Sequence, residues 1–224
     1  AFGRVLLGNI DLNNDSKPDL LTSSTRYRDG SNTPVGAAFA FVGPFATDGR
    51  TVDARRAHVT FWGNTLVPTL GASLAFAVDF MKEGGRTVIV GAPVYTNNSS
   101  TGGSVYIFRP ASWACCQQLN TWDAAGLIYT KEANDQAGLS IASGGDINKD
   151  GYPDLLIGAP HADVSGRSDA GRVFIVYGKD VTRQPLLLES LSEGLEGKSN
   201  RSYLGTLVRL SDFNGDGWAD LILS

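Results

Sequence analysis

The sequence is poor in the residues that make disulfide frameworks and zinc sites. Its 224 residues include two cysteines and two histidines. Cys115 and Cys116 are adjacent, so they could form a vicinal disulfide, pair outside the chain or stay reduced, and they do not identify the cellular compartment. His58 and His161 are distant in sequence, which does not favour a zinc site. With 42% hydrophobic residues, a chain of this length can bury a substantial core without a disulfide framework.

The sequence also lacks long apolar runs, a basic surplus and the common local motifs of catalysis. Its apolar stretches are far shorter than the roughly 18 residues of a membrane-spanning helix. The net charge is −4, the pI is about 5.1 and basic residues form no stripe, so neither nucleic acid binding nor direct membrane insertion is expected. There is no Gly-x-Ser-x-Gly elbow and no phosphate-binding glycine loop. We therefore expect a protein that is not an enzyme.

Aspartate, by contrast, is concentrated in three nine-residue loops. Residues 11–19, 146–154 and 212–220 each read Asp-x-Asn-x-Asp-x-x-x-Asp, with glycine at the sharply turning position 6 in the last two and Ser16 there in the first. Oxygens of side chains 1, 3, 5 and 9 and of backbone carbonyl 7 can converge on a hard cation such as Ca²⁺. The predicted calcium ligands, with position 7 acting through its carbonyl, are Asp11, Asn13, Asp15, Lys17 and Asp19; Asp146, Asn148, Asp150, Tyr152 and Asp154; and Asp212, Asn214, Asp216, Trp218 and Asp220.

The EF-hand is the nearest alternative to these loops, because it begins with a similar ligand pattern. It continues to a bidentate glutamate at position 12 and lies between two helices. Here position 12 is Thr22, Ile157 or Leu223, and each loop is followed by a short apolar run typical of a buried strand. The loops are therefore predicted to be β-hairpin turns. A turn rich in Asp and Asn that binds nothing is the other alternative; three copies at one spacing favour two to three structural calcium sites.

The loops belong to a repeat of about 67 residues, the interval at which Asp11, Asp79, Asp146 and Asp212 recur. Each unit shows alternating apolar strands, with a fourth strand predicted at 57–62, 126–129 and 185–189. Four antiparallel strands repeated at a fixed period are typical of a β-propeller blade. We predict one all-β partial propeller over residues 1–224, with repeats at about 1–68, 69–134 and 135–201 and an incomplete repeat at 202–224.

The second repeat departs from the loop pattern. Residues 79–87 have Met81 and Thr87 at the positions that hold Asn and Asp in the other loops. This loop is predicted to keep its turn without a metal, with Lys82 or Arg86 supplying a positive charge in place of calcium.

The motifs around the loops resemble a known family. Phe2-Gly3 opens the first unit, Gly-Ala-Pro occurs at residues 91–93 and 158–160, and a Gly-x-Val-x-Ile strand begins at Gly171. This pattern resembles the FG-GAP repeat of the integrin α-subunit propeller and its relatives, most closely at residues 137–177. The resemblance implies a seven-bladed propeller with calcium in its hairpin loops. It also implies an extracellular or cell-surface adhesion or ligand-binding platform. Some relatives of this family bind sugars, and others are accessory domains of enzymes.

The resemblance further implies that this chain is part of a larger propeller. About 3.4 blades would be present, and an unclosed set of blades would expose strand edges. The remainder is expected from sequence outside this chain or from another chain, and the start at Ala1 reads as internal or processed. Asn97, Asn98 and Asn200 match the N-glycosylation pattern, which a glycoprotein would carry.

We predict an extracellular, calcium-stabilised interaction module that binds a protein or glycan ligand on the propeller surface. Residues 110–123, which include Trp113 and Trp122, are the least repeat-like segment and the predicted partner contact. Because a fold alone does not identify a ligand, three alternatives stay open: a carbohydrate-binding propeller, an accessory propeller domain of a secreted or surface hydrolase, and a purely architectural role in a cell-surface or extracellular polymer.

Overall fold

The computed structural model describes residues 2–45, 51, 53–97, 100–191 and 193–224, with the backbone alone at 95–97, 100 and 101. Within these ranges the regular structure is strand and short 3-10 turn, without an α-helix. The strands are β1 (Leu6–Ile10), β2 (Asp19–Ser24), β3 (Ala37–Phe41), β4 (Val59–Trp62), β5 (Ser73–Val78), β6 (Arg86–Asn97), β7 (Ser100–Phe108), β8 (Gln117–Asn120), β9 (Gly126–Tyr129), β10 (Ser140–Ser143), β11 (Leu155–Ala159), β12 (Arg172–Val176), β13 (Leu186–Leu187), β14 (Gly194–Glu196), β15 (Val208–Ser211) and β16 (Asp220–Leu223).

The strands form three antiparallel meanders and a hairpin. The first sheet has the order β1-β2-β3-β4, the second β5-β6-β7-β9 and the third β10-β11-β12-β14, while β15 pairs with β16. Each meander is a four-stranded propeller blade, so the predicted all-β propeller fold is confirmed. The repeat boundaries drawn from the sequence stay a prediction, and Asn98 of the glycosylation pattern lies outside the described residues.

Two short strands extend these sheets from the following blade. β8 lies between β7 and β9 in sequence but pairs in parallel with β4, where Gln117 is opposite Val59. β13 lies between β12 and β14 and pairs in parallel with β9, where Leu186 is opposite Ile128. The connection that precedes an outer strand therefore reaches back to the preceding blade. There it satisfies edge N–H and C=O groups that would otherwise be open to pairing with another chain.

The prediction that residues 185–189 form the outer strand of the third repeat was wrong. That strand is β14, which pairs with β12 through Leu195 and Val173. The segment at 185–189 instead supplies β13 to the second sheet, and Leu188 directly after β13 is fully buried between the second and third sheets. The apolar run correctly indicated burial, but the preceding blade, and not its own sheet, provides it.

The core consists of apolar layers between neighbouring sheets. Val88 and Val90 of β6 pack toward the first sheet, whereas Ile89 between them packs toward the third. Phe61 of β4 and Phe108 of β7 are fully buried, and their ring centroids lie 4.9 Å apart. Burying a ring of this size stabilises the fold by roughly 1.5–3 kcal/mol. Because the second sheet is covered on both faces, its central strands read as continuous apolar runs.

The glycines of the repeat motifs lie where neighbouring blades touch. A Cβ atom on Gly91 would lie 2.2 Å from the Gly138 carbonyl oxygen, and one on Gly158 would lie 2.1 Å from the Gly205 carbonyl oxygen. Gly138 and Gly205 have φ angles of 87° and 97°, which L side chains rarely adopt. Within the third blade, the Gly138 N–H donates to the Gly158 carbonyl oxygen at 3.0 Å, which links the two glycine contacts. Each glycine pair therefore joins two blades through direct backbone contact.

Candidate metal-binding loops

The three predicted metal loops are turns between the first two strands of a blade, at one end of the sheets. The loop at 11–19 joins β1 to β2, the loop at 146–154 joins β10 to β11, and the loop at 212–220 joins β15 to β16. The hairpin prediction is confirmed. Because strands flank every loop, the EF-hand alternative is excluded.

The loop at 146–154 shows how the predicted ligands organise the turn. Asp146 accepts hydrogen bonds from the Asp150 N–H (3.2 Å) and the Gly151 N–H (2.8 Å). Asn148 Oδ1 accepts from the Asp150 N–H at 3.1 Å, and Asp150 Oδ1 accepts from the Tyr152 N–H at 3.0 Å. The oxygens at positions 1, 3 and 5 therefore lie inside one tight turn.

The other two loops repeat this arrangement. Asp11 accepts from the Ser16 N–H at 3.1 Å and Asp212 accepts from the Gly217 N–H at 2.8 Å, the same pairing of positions 1 and 6. Positions 3 and 5 accept from the N–H groups of positions 5 and 7 at distances from 2.8 to 3.1 Å, through Asn13, Asp15 and Lys17 and through Asn214, Asp216 and Trp218. Three segments of different sequence thus share one hydrogen-bonding pattern.

The position-9 aspartates tie the loops to the body of the blade. Asp19 and Asp154 are buried, and each accepts the N–H of loop position 2, at 2.6 and 2.7 Å. Asp220 makes the same bond at 2.9 Å. The second oxygen of Asp19 accepts from the Gly43 N–H at 2.7 Å, and that of Asp154 accepts from the Gly178 N–H at 3.2 Å. This carboxylate therefore links the hairpin to the segment that follows the third strand of its blade.

Burial and hydrogen bonding act on the loop carboxylates in opposite directions. Burial raises the pKa of Asp154, and the neighbouring loop carboxylates add to the effect. The Gly217 N–H holds the pKa of Asp212 below its ordinary value. The Lys179 ammonium, 2.7 Å from Asp150 Oδ2, lowers the pKa of Asp150. The loops therefore bring together carboxylates that repel one another when ionised, and a cation would relieve that repulsion.

The donor set of the loops fits a hard cation. It consists of carboxylate, amide and carbonyl oxygens, the ligand types that Ca²⁺ prefers. In the part of the chain that the structure describes, no group of three or more His, Cys, Asp or Glu side chains is placed to hold a metal ion, and the loop carboxylates contact backbone N–H groups. The assignment of the calcium ligands therefore stays a prediction.

The second loop, residues 79–87, keeps the turn with a different use of its side chains. Asp79 accepts from the Gly84 N–H at 2.7 Å, as a position-1 aspartate does in the other loops. Phe80 and Met81 are buried in the core between the second and third sheets. The side chain that stands in place of the position-3 asparagine therefore contributes to packing.

The positive charge at the second loop comes from Arg109, which the sequence analysis missed. Its guanidinium donates to the carbonyl oxygens of Glu83 (3.2 Å) and Gly84 and pairs with the Glu83 carboxylate. Arg86, one of the two residues predicted for this role, contacts the first loop instead, so the prediction was wrong for Arg86, and for Lys82 it stays a prediction. A signal was available, because Arg109 directly follows β7, and β7 pairs with the strand that begins at the end of this loop.

The opposite end of the second and third blades has an acidic cavity of about 440 Å³, lined in part by Glu132, Asp135, His161, Asp163 and Asp169. Asp135 is 8% exposed. Burial, with Glu132 and other acidic groups nearby, raises its pKa to about 6. His161 Nδ1 lies 2.9 Å from Asp169 Oδ1. The cavity therefore combines a buried carboxylate with further negative charge.

The segment predicted to contact a partner, residues 110–123, is partly docked and partly exposed. Its two cysteines are disulfide-bonded to each other. Trp113 packs against the core between the first and second sheets, and β8 pairs with β4. Trp122 is 81% exposed and lines a cavity of about 520 Å³ together with arginine and acidic side chains. Trp122 is therefore the large hydrophobic side chain that this segment exposes.

Comparison with known proteins agrees with the motif resemblance. The FG-GAP repeat family model matches residues 137–176. The chain is 33% identical to integrin alpha-6 of Homo sapiens over 132 residues, 56% of the chain and 10% of that protein. It is 30% identical to integrin alpha-7 of Rattus norvegicus over 172 residues, which are 74% of the chain and 13% of that protein. It is 40% identical to phosphatidylinositol-glycan-specific phospholipase D of Mus musculus over 82 residues, which are 36% of the chain and 10% of that protein. The chain thus matches only about a tenth of the length of these relatives. Within the described ranges, no helix is long and apolar enough to cross a membrane.

Proposed function

Because the chain carries integrin-like FG-GAP propeller blades, we propose that it is an extracellular interaction module whose blades are stabilised by calcium. The similarity to integrin alpha chains supports an extracellular or cell-surface location and a role in binding rather than catalysis. The single observation that carries the calcium part is the shared geometry of the three loops, which present the same oxygen donors in the same hydrogen-bonding pattern.

The loop residues divide the work of building the site. The position-1 carboxylate, Asp146 in the third blade, orders the N–H groups of the second half of the turn. Asp150 orders the backbone at Tyr152, whose carbonyl is a predicted ligand. Asp154 connects the turn to Gly178 in the segment after β12. When bound, calcium supplies the positive charge that these three carboxylates lack, so the hairpin and the rest of the blade are held together more firmly.

The expected stabilisation follows from mass action. Calcium modules of extracellular proteins typically have dissociation constants of roughly 10⁻⁴–10⁻³ M. Free calcium at about ten times the dissociation constant stabilises a site by roughly 1.4 kcal/mol. Two occupied sites therefore contribute about 3 kcal/mol, a large share of the stability of an ordinary domain.

Isothermal titration calorimetry with calcium, paired with thermal melts in calcium and in excess chelator, tests this proposal. We expect two to three bound ions and a chelator-induced fall in Tm of about 6–12 °C. The double variant Asp150→Ala, Asp216→Ala should lose two ions and most of that fall. Asp53→Ala removes a carboxylate outside the loops and should behave like the wild type. A wild-type chain that takes up no calcium and melts identically in chelator would refute the proposal.

The acidic cavity is the surface that we assign to a protein ligand. An ionised carboxylate that is mostly buried beside other acidic groups is unfavourable in the free protein, and a cationic side chain of a ligand would relieve that repulsion. Asp135 supplies that carboxylate, and Glu132 and Asp163 add negative charge around it. The ligand chemistry that fits is a basic peptide segment with an exposed Lys or Arg.

A glycan is the second candidate ligand, and the exposure of Trp122 favours it. An indole that is 81% exposed beside a polar cavity offers a flat apolar face, with arginine donors nearby. The similarity to phosphatidylinositol-glycan-specific phospholipase D supports, as a further alternative, an accessory propeller domain of a secreted or surface hydrolase.

A further inference from the structure

Arg86 belongs to the second blade but binds the metal loop of the first. It begins β6, directly after the second loop, and its side chain is 19% exposed. Its Nε donates to the Asp11 carbonyl oxygen at 2.6 Å, and one terminal nitrogen donates to Asn14 Oδ1 at 2.6 Å. The same nitrogen lies 3.4 Å from Asp11 Oδ2. One guanidinium therefore contacts the first loop at three oxygens, two of which belong to the position-1 aspartate.

These contacts give the first loop what a bound cation would give it. A guanidinium stays charged at every physiological pH and offers several N–H donors in a fixed plane. At Asp11 it neutralises a carboxylate that accepts the N–H groups of the turn. The loop is thus tied to the neighbouring blade by a charge that belongs to the protein.

We number the loops by blade, so the loop at 146–154 is the third loop and the loop at 212–220 is the fourth. The third loop has a basic contact of a different kind. The Lys179 ammonium lies 2.7 Å from Asp150 Oδ2, but its side chain is 37% exposed and has a flexible stem. An ammonium at that exposure can move into water when a metal arrives. Arg86 is less exposed and is held by a backbone carbonyl and an amide oxygen of the loop itself, so moving it breaks those bonds.

We propose that Arg86 is a built-in cation for the first loop, which therefore keeps its shape without calcium and binds calcium more weakly than the third loop. The inference rests on the proposed calcium function and adds an order of affinities to it. The second loop uses the same device, since the Arg109 guanidinium binds the Glu83 and Gly84 carbonyl oxygens where metal ligands are missing. Calcium dependence is then concentrated in the third and fourth blades, and arginines serve the first and second.

The size of the effect follows from charge repulsion. A fixed unit charge at about 4–6 Å from a divalent ion weakens binding roughly tenfold even in water. Removing the charge of Arg86 should therefore raise the calcium affinity of the first loop about tenfold. The same change should lower the stability of the calcium-free protein, because Asp11 loses its only guanidinium contact among the described residues.

Calcium calorimetry in an Asp150→Ala, Asp216→Ala background isolates the first loop. We expect Arg86→Gln in that background to bind one calcium about tenfold more tightly than the background alone. Lys198→Gln is the matched control, because it removes the same charge from an exposed position between β14 and β15, at the opposite end of the blades. An unchanged or weaker affinity in Arg86→Gln would overturn the inference.

Thermal melts separate the failure of this inference from the failure of calcium binding itself. In excess chelator, Arg86→Gln should melt below the wild type, and Arg86→Lys, which keeps the charge, should lie between them. If no loop of the wild type binds calcium, the proposed function fails, whereas calcium uptake by the third and fourth loops without an effect of Arg86→Gln refutes only the built-in cation. Should Arg86→Gln fail to fold, Arg86→Lys still decides, because an ammonium on a flexible stem can move away from an arriving ion, so the inference requires this variant to bind calcium in the first loop more tightly than the Asp150→Ala, Asp216→Ala background does, and an unchanged affinity would overturn it.

Discussion

Replacing Gly158 by alanine should break the junction between the third blade and the hairpin that follows it. Gly158 lies in β11, and its Cα–H side faces the backbone of Gly205. An added Cβ would lie 2.1 Å from the Gly205 carbonyl oxygen and 2.9 Å from its carbonyl carbon. Ordinary contact requires about 3.4 Å, so one backbone must move by roughly 1 Å. Both are backbone atoms, which a change of side-chain rotamer cannot relieve.

The magnitude follows from the cost of overpacking. Extra atoms in a well-packed interior typically cost about 1–3 kcal/mol, and a clash between two backbones belongs at the upper end. For a chain of this size, each kcal/mol lowers Tm by about 2–4 °C. We therefore expect Gly158→Ala to lower Tm by about 6–12 °C in calcium-containing buffer, measured by circular dichroism, with a matching loss of unfolding free energy in urea.

Gly8→Ala is the matched control for this prediction. Gly8 also lies in a strand, β1, but an added Cβ there meets nothing within 4 Å and its φ is not positive. The unfolding free energy of the Gly8→Ala variant should stay within about 0.5 kcal/mol of the wild-type value. Equal effects of the two substitutions would show that the blade junction tolerates a side chain, and would refute the idea that the motif glycine is needed for close approach of the blades.

Two further predictions concern the proposed ligand surfaces. The pKa of Asp135, about 6 in the folded protein against an ordinary 3.8, means that the folded state takes up a proton before the unfolded state does, so the destabilising contribution of Asp135 shrinks as the pH falls from about 6 toward 4. Asp135→Asn should therefore be more stable than the wild type in urea at pH 7.5, with the difference shrinking toward pH 4; a difference that is independent of pH would contradict the assignment. Trp122→Ala, at an 81% exposed position, should change the unfolding free energy by less than about 0.5 kcal/mol. If the glycan candidate is correct, the same variant should lose binding on a glycan array, and retained binding would exclude this surface.

Much of the fold could be predicted because its signals are local and repeated. The alternating strands, the turn between each first and second strand, and the paired glycines all recur at one interval, so each copy supports the interpretation of the others. The hairpin loops at 11–19, 146–154 and 212–220 were placed correctly because Asp and Asn side chains bond to the backbone within the same nine residues. The bonds that define these turns cross no more than a few positions of the chain.

Contacts between repeats could not be predicted in the same way. The segment at 185–189 reads as a strand of its own blade, but its partner is β9 of the preceding one. Arg86 reaches back from the start of β6 to a loop about 75 residues earlier, and nothing in its local sequence distinguishes it from a residue that serves its own turn. Such contacts depend on how adjacent blades are stacked, and a periodic pattern gives the blades without giving the side chains that bridge them.

Contacts within a loop and contacts between blades occur on the same strand. In the second and third blades, the strand that follows the loop carries a motif glycine further along, as β11 does between Asp154 and Gly158. The glycine allows the backbone of the next blade to approach, and the aspartate secures the loop to its own blade. Loss of charge balance at the loop end therefore loosens one blade, whereas a side chain at the glycine end separates two. Because the defects act at opposite ends of one strand and share no contact, Gly158→Ala and removal of calcium should lower the unfolding free energy additively.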